Sequence, residues 1–398
     1  MSKLAQRTLA IKPSVTLAIA AKAGKLRAQG VDVANFSAGE PDFDTPEHIK
    51  AAAIDALRKG MTKYTDVRGI EPLREAVVQK YQCEFGLGYE KEAVLVSCGA
   101  KHSLYNILQA VIDPGDEVVI PGPYWVSYSD MVLLCGGVPK LVQTTQENGF
   151  RLTAEQLRAA LGPKTRAVIL NSPSNPTGAA YDRPALESLA RVLEKHDCLF
   201  ISDDIYEKIV YDGFQFHTIL TLAPKLRERT IILNAVSKTY SMTGWRIGYA
   251  LGPAAIISAA AKIQSQSTSN PTSIAQAAAL EAITGPQDSV ENMAREFQQR
   301  RDLLVDRLNA MEGVECFKPQ GAFYVFPNIR GLLGRKIGEL KIDSPCSLAE
   351  LFLERAQVAV VPGEDFGAAE NIRLTYSTSL TDIEKGCDRI EAAIKELK

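Results

Sequence analysis

Five loops in the middle of the chain gather the residue types that chemistry between an amine and a carbonyl compound needs. Ser97-Cys98-Gly99-Ala100-Lys101 follows one apolar run, and Pro121-Gly122-Pro123-Tyr124-Trp125 follows the next. Asn171-Ser172-Pro173-Ser174-Asn175-Pro176-Thr177-Gly178 follows a third, Ser202-Asp203-Asp204 a fourth, and Ala235-Val236-Ser237-Lys238 a fifth. A phosphorylated pyridine aldehyde suits that set, because it needs a lysine amine, a carboxylate for its ring nitrogen and an anion cradle. Asp203 can pair with the pyridinium, while Asn175 and Tyr206, three residues beyond the acid, can donate to the ring oxygen. Trp125 can lie flat on the ring. Backbone N–H groups of a helix opening at Gly99 and Ala100, with Ser237 and Arg246, can hold the phosphate.

Those loops need a scaffold that brings them to one place. The runs before them are Ala93–Val96, Glu117–Ile120, Ala167–Leu170, Leu199–Ile201 and Ile231–Leu233, with Ile247–Leu251 a sixth. Helical segments at Ser103–Val111, Tyr128–Leu134, Ala154–Leu161 and Arg183–Lys195 separate most of them. Strands alternating with helices imply an α/β fold, a mostly parallel sheet flanked by helices. In such sheets ligands sit outside the carboxyl ends of the strands, so the five loops line one cleft.

After residue 285 the texture changes to a long polar helix near Ser289–Met311 and the short runs Val314–Phe317 and Ala322–Phe326. Leu348–Arg355, Val358–Val361, Ile372–Thr375 and a C-terminal helix follow, which reads as a smaller α+β domain. The expected division is an arm and part of the small domain at 1–45, a large cofactor-binding domain at 46–285 and the small domain at 286–398.

Composition narrows the partners. A net charge of −2 gives no electrostatic reason to expect nucleic acid or an anionic membrane. No apolar run approaches the roughly 18 residues of a membrane span. The 7 cysteines, with no CxxC pair, argue against a disulfide framework or a zinc site, so no metal is expected. Basic residues without acids in the first 30 positions read as an arm and helix packing on Val15, Leu17, Ile19, Ala20 and Ala23, and the expected location is cytoplasmic. His48, His102, His196 and His217 read as structural or surface residues. Gly331–Gly338 lacks both the Gly-Lys-Ser/Thr ending and the preceding strand of a phosphate loop.

The segment Asn234-Ala-Val-Ser-Lys-Thr-Tyr-Ser-Met-Thr-Gly-Trp-Arg-Ile-Gly-Tyr249 resembles the lysine segment of class I aminotransferases, the fold-type I pyridoxal-phosphate enzymes. Asn175-Pro-Thr-Gly, Asp203-x-x-Tyr206, Gly39-Glu-Pro-Asp, Tyr64-Thr-Asp-x-x-Gly-x-x-x-Leu-Arg74 and Asn371-Ile-Arg373 match the same family in order, over nearly the whole chain. The resemblance implies pyridoxal 5'-phosphate as cofactor, Lys238 as Schiff-base lysine and general base, and ping-pong kinetics. It places Asp203 at the ring nitrogen, Asn175 and Tyr206 at the ring oxygen, Trp125 on the ring, and Arg373 and Gly39 at the substrate α-carboxylate. Tyr64 falls on a residue that reaches the phosphate of the neighbouring subunit, implying a homodimer with shared sites. One position departs from some relatives: Ala235 replaces a phosphate-binding hydroxyl, leaving that role to Ser237.

Within the family the chain is most similar to the bacterial branch called subgroup Ib, which implies aspartate as amino donor and 2-oxoglutarate as acceptor. That branch holds the distal carboxylate with a lysine matching Lys101 and hydroxyls matching Ser14 and Thr16. Lys12 and Phe323 fall where members that also transaminate prephenate, giving arogenate, carry a basic and an aromatic residue. Aromatic aminotransferases and same-fold lyases share the cofactor residues and stay open as alternatives. A nicotinamide-dependent dehydrogenase would need GxGxxG after the first strand, which Cys98-Gly99-Ala100 does not supply.

Overall fold

The computed structural model describes residues 4–11 and 15–398. Seven strands form the main sheet: β1 (Val94–Ser97), β2 (Glu117–Gly122), β3 (Val138–Gln143), β4 (Thr165–Asn171), β5 (Leu199–Asp203), β6 (Thr230–Ala235) and β7 (Gly248–Leu251). Their order across the sheet is β1-β7-β6-β5-β4-β2-β3. The pairs β2–β3, β2–β4, β4–β5 and β5–β6 are parallel, while β7 is antiparallel to both β1 and β6. β1 therefore runs with the others and β7 alone is reversed, so the five loops do emerge at one end.

The strands are apolar on both faces because helices cover both. Val94, Val119, Val168, Phe200, Ile232 and Tyr249 pack into one cluster with Leu73, Val77, Leu189 and Ala278 of covering helices. Their neighbours Leu95, Val118, Ala167, Ile201, Ile231 and Ala250 pack into the other, with Leu104, Ile107, Met131 and Ile257. The period-two alternation of strands divides adjacent residues between two cores, and continuous Val/Ile/Leu runs are the result.

A third core lies around a three-stranded antiparallel sheet of β8 (Tyr324–Val325), β9 (Val361–Pro362) and β10 (Ile372–Thr375), ordered β9-β10-β8. Phe297, Leu304, Phe352, Leu374, Ile383 and Ile390 fill it, from β10 and the helices Asp288–Asn309, Pro345–Arg355 and Leu380–Lys395. The N-terminal segment joins here, since Ala34–Asn35 pairs in parallel with Val358–Ala359.

Several local expectations need correction. β3 has no counterpart in the sequence reading: it is an edge strand and, unlike the buried edge strand β1, leaves Val138 and Leu141 exposed, so it lacks the buried-run signature. The run Val314–Phe317 forms only an isolated bridge, Glu315 to Asn328. Ala322–Phe326 shortens to β8 because Ala322 adopts φ +58°, outside extended geometry. Val358–Val361 splits between two sheets, its first half pairing with Ala34–Asn35 and its end with β10. Among the described residues no helix is long and apolar enough to cross a membrane.

Candidate active site

A cavity of about 570 Å³ opens at the carboxyl end of the large sheet, where the small-sheet region leans over it. Of the sequence-derived residues, Gly39, Ala100, Lys101, Trp125, Asn175, Asp203, Tyr206, Ser237, Lys238, Arg246 and Arg373 all line it.

Asp203 ends β5 and is buried. Burial pushes its carboxyl up to about 6, against the opposing pull of a 2.6 Å hydrogen bond from the Tyr128 hydroxyl and one from the Ile205 amide. Asn171 braces this loop to the next: its side-chain amide donates to the Asp203 carbonyl at 2.9 Å, and its oxygen accepts from the Asn175 amide at 2.8 Å. Tyr206 is buried, its hydroxyl 3.1 Å from that of Tyr324.

Lys238 sits in the single helical turn Val236–Thr239 after β6 and faces the cavity. Burial lowers its ammonium pKa to about 8; Glu40 opposes that, and the cations of Arg246, Arg373 and Lys101 add to it. Its Nζ donates to the Gly39 carbonyl at 2.5 Å.

The reversed β7 brings Arg246 to the same end. Its guanidinium donates to the carbonyls of Thr243 at 2.8 Å and Cys98 at 3.3 Å, beside the start of helix Ala100–Val111. Gly99, at φ +88°, caps that helix with no side-chain acceptor, leaving the first amides to face the cavity. A Cβ on Gly99 would stand 2.5 Å from Arg246 Nη2, and one on Gly248 would stand 2.2 Å from the Ala100 nitrogen. Both glycines are needed for the helix start, the arginine and β7 to meet. The feature is an anion cradle of amides plus guanidinium.

Trp125 forms a wall, edge-on to Tyr128 at 5.3 Å, with Lys101 Nζ 4.7 Å from its ring centre. Burial, with Arg246 nearby, lowers the Lys101 pKa, and Asp130 opposes the change.

Arg373 on β10 is buried, and its neighbours are neutral. Nη1 donates to the Asn175 side chain at 3.1 Å and Nη2 to the Ser37 carbonyl at 3.0 Å, while Nε has no partner. The rings of Tyr324 and Phe366 lie 4.7 and 5.0 Å from the guanidinium carbon. Burial lowers its pKa, and among the described residues no carboxylate pairs with it. A desolvated cation of this kind calls for an anionic ligand.

The remaining sequence-derived positions fall elsewhere. Phe323 is fully buried beneath the site, edge-on to Tyr206 at 5.5 Å, and does not line the cavity. Tyr64 is 90% exposed and away from the cavity. Lys12 and Ser14 lie outside the described residues; Thr16 lies in helix Val15–Ala28, with its side chain outside the description. The four histidines and Gly331–Gly338 do not line the cavity, and among the described residues there is no metal-binding group.

Tyr128, Thr243, Tyr324 and Phe366 were missed by sequence reasoning and line the site. Tyr128 lies in the first turn of helix Ser127–Leu134, which starts two residues after Trp125. Tyr324 and Phe366 come from the small-sheet region, and only the tertiary fold brings them in.

An α/β sheet whose carboxyl-end loops present a half-buried lysine, a buried acid and an anion cradle holds the parts of an enzyme active site. Residues 31–390 match the family described as aminotransferase class I and II, and the chain belongs to that family. It is 50% identical to an aspartate aminotransferase of Geobacillus stearothermophilus, with 98% of each chain covered. It is 51% identical to an aspartate/prephenate aminotransferase of Cereibacter sphaeroides, again with 98% of each covered. The solved structure of the Rhizobium meliloti aspartate aminotransferase superposes with a TM-score of 0.97 at 48% identity and 100% coverage of both chains.

Proposed function

We propose that this chain transaminates L-aspartate with 2-oxoglutarate, giving oxaloacetate and L-glutamate, with pyridoxal 5'-phosphate as cofactor and Lys238 as the catalytic base. The observation that carries the reading is the buried Arg373 guanidinium, which meets an amide oxygen, a carbonyl and aromatic rings but no carboxylate, in the same cavity as Lys238.

The residues fit the cofactor. Gly99 leaves room where a Cβ would collide with Arg246, and the amides of Ala100 and Lys101, the Ser237 hydroxyl and Arg246 would hold the phosphate. Asp203 would face the ring nitrogen, Asn175 and Tyr206 the ring oxygen, and Trp125 the ring face. Bound there, pyridoxal phosphate supplies an electron sink for the carbon that loses its proton. Arg373 binds the α-carboxylate in bidentate fashion, with Gly39 closing over it, so the Cα–H bond is oriented toward Lys238. An amine with pKa about 8 is partly neutral at physiological pH, so Lys238 Nζ can take the Cα proton and return it. The buried Asp203 carboxylate keeps a proton on the ring nitrogen. Lys101, with Ser14 and Thr16, binds the distal carboxylate.

The proposed assembly is a homodimer in which Tyr64 of the partner subunit reaches the phosphate. The exposed Tyr64, with Ile54 (48% exposed) and Leu57 (53%) on helix Glu47–Arg58, supports an apolar contact surface there. The proposed domains are 46–285 for the cofactor, with 1–45 and 286–398 forming the small domain.

The test is an absorption spectrum of the purified protein with pyridoxal phosphate, before and after L-aspartate alone. Loss of the visible band to the colourless amine form supports cofactor, lysine and substrate together. A coloured protein that ignores aspartate overturns the substrate, and one that never acquires a band overturns the cofactor. Prephenate is a second substrate reading, favoured by the 51% identical aspartate/prephenate relative. It fails if prephenate turns over no faster than a generic aromatic keto acid.

A further inference from the structure

Segment 37–45 is tied down at almost every second residue, and the ties end on different parts of the molecule. The Ser37 carbonyl accepts from Arg373 on β10. Asp42 pairs with Arg300 of helix Asp288–Asn309 at 2.7 Å. Thr45 donates to the Ser241 carbonyl at 2.7 Å and accepts from Trp245 Nε1 at 3.0 Å. Between these anchors Gly39 is exposed, and a Cβ there would meet only the Tyr324 hydroxyl, at 3.6 Å.

Two bonds hold that stretch over the cavity. One, from Lys238 Nζ to the Gly39 carbonyl, uses the amine that the chemistry requires. It is lost whenever Lys238 acts on a substrate. The other is on the next residue: Glu40 Oε2 accepts from the Thr243 hydroxyl at 2.6 Å, and the Thr243 carbonyl accepts from Arg246 at 2.8 Å. This second bond ends on the segment that carries Lys238 and Arg246, yet does not involve the lysine. A hydrogen bond to a carboxylate is also stronger than one between neutral groups.

We infer that Glu40 is a positioning residue: through Thr243 it keeps Gly39 over the substrate carboxylate site after Lys238 has let go. Its bond to Thr243 acts on substrate binding, while its charge separately holds up the Lys238 pKa. This role rests on the aminotransferase reading of Lys238 and Gly39.

The experiment uses the full chain loaded with pyridoxal phosphate. Glu40→Ala and Thr243→Val are each expected to raise the KM for L-aspartate about tenfold, the scale of one lost charge-assisted hydrogen bond. kcat of Thr243→Val, which keeps the carboxylate, is expected to stay within about threefold; Glu40→Ala also removes a charge that holds the Lys238 pKa up, so its kcat–pH profile is expected to shift to lower pH. The double variant is no worse than either single, because both break one bond. Glu40→Gln, which keeps an oxygen acceptor but not the charge, restores part of the affinity. Hydrogen–deuterium exchange across residues 37–45 is faster in Glu40→Ala and Thr243→Val than in the parent, at an unchanged melting temperature. Additive effects of the two substitutions, a KM within twofold of the parent, or exchange that does not change would overturn the role. So would Glu40→Gln behaving like Glu40→Ala, which would assign the effect to charge instead. If the parent ignores aspartate while the exchange difference persists, the strap stands and the substrate assignment falls.

Discussion

Two lysines in the interior of this fold, Lys80 with its side chain buried and Lys238 half-buried, meet opposite surroundings. Lys80, with a side chain only 7% exposed, touches Glu207 at 2.5 Å and Glu84 at 3.2 Å. Burial pulls its pKa down, but the acids outweigh burial and the net direction is up. Around Lys238 burial outweighs the opposing pull of Glu40, the cations of Arg246, Arg373 and Lys101 add to it, and the pKa falls to about 8. Two buried arginines repeat the contrast. Arg301 is clamped by Asp212 at 2.8 Å and Asp302 at 2.7 Å, whereas Arg373 finds an amide oxygen, a carbonyl and aromatic rings. An unpaired cation costs too much to bury without reason. Lys80 and Arg301 hold the fold together, while Lys238 and Arg373 stand ready for charge that arrives from outside.

Substitutions on each side should separate the two kinds. Lys238→Ala is expected to lower kcat by about 10⁴-fold or more while leaving the urea unfolding midpoint near the parent value. Lys80→Met should do the reverse. It strands Glu207 without its partner and costs about 3–5 kcal/mol in urea unfolding, and the folded fraction keeps its kcat. Arg373→Leu is expected to lose about 2–5 kcal/mol of substrate binding, seen in kcat/KM for aspartate. It orphans no acid, so stability should hold; a fall in stability equal to that of Arg301→Leu would erase the distinction between the two arginines.

Asp203 gives the smallest effect and a pH signature. Its carboxyl sits at about 6 when folded against an ordinary 3.8, so the folded chain binds the proton more tightly than the unfolded one. Stability therefore falls as pH rises from 3.8 to 6 and is level above that. Asparagine never ionises. Cofactor-free Asp203→Asn should match the parent near pH 4 and exceed it by about 2–3 kcal/mol at pH 7.5, in paired urea titrations.

Much of the site was legible because its residues follow strand ends, and strand ends are where buried apolar runs stop. Asp203, Lys238 and Asn175 each sit within a few residues of such a stop. Arg246 was legible only through its spacing from Lys238 and the family motif, since nothing local marks it as a ligand residue. Tyr128 went unnoticed because its partner, Asp203, lies 75 residues away. β3 escaped because this edge strand is half solvated and looks like a loop. Tyr324 and Phe366 reach the cavity only through the packing of one sheet region on the other, which no short window of sequence records.

The single reversed strand has a mechanical consequence. β6 and β7 are hairpin neighbours in fixed register, Ala235 opposite Gly248 and Asn234 opposite Tyr249, and Lys238 and Arg246 both lie on the excursion between them. The distance between those two side chains is a local dimension, gauged by one hairpin. The distance from Lys238 to Arg373 spans two sheets and depends on how they stand to each other. A hinge between the sheets would alter the second distance and spare the first, so the protein could loosen its hold on a substrate while its hold on a cofactor stayed the same.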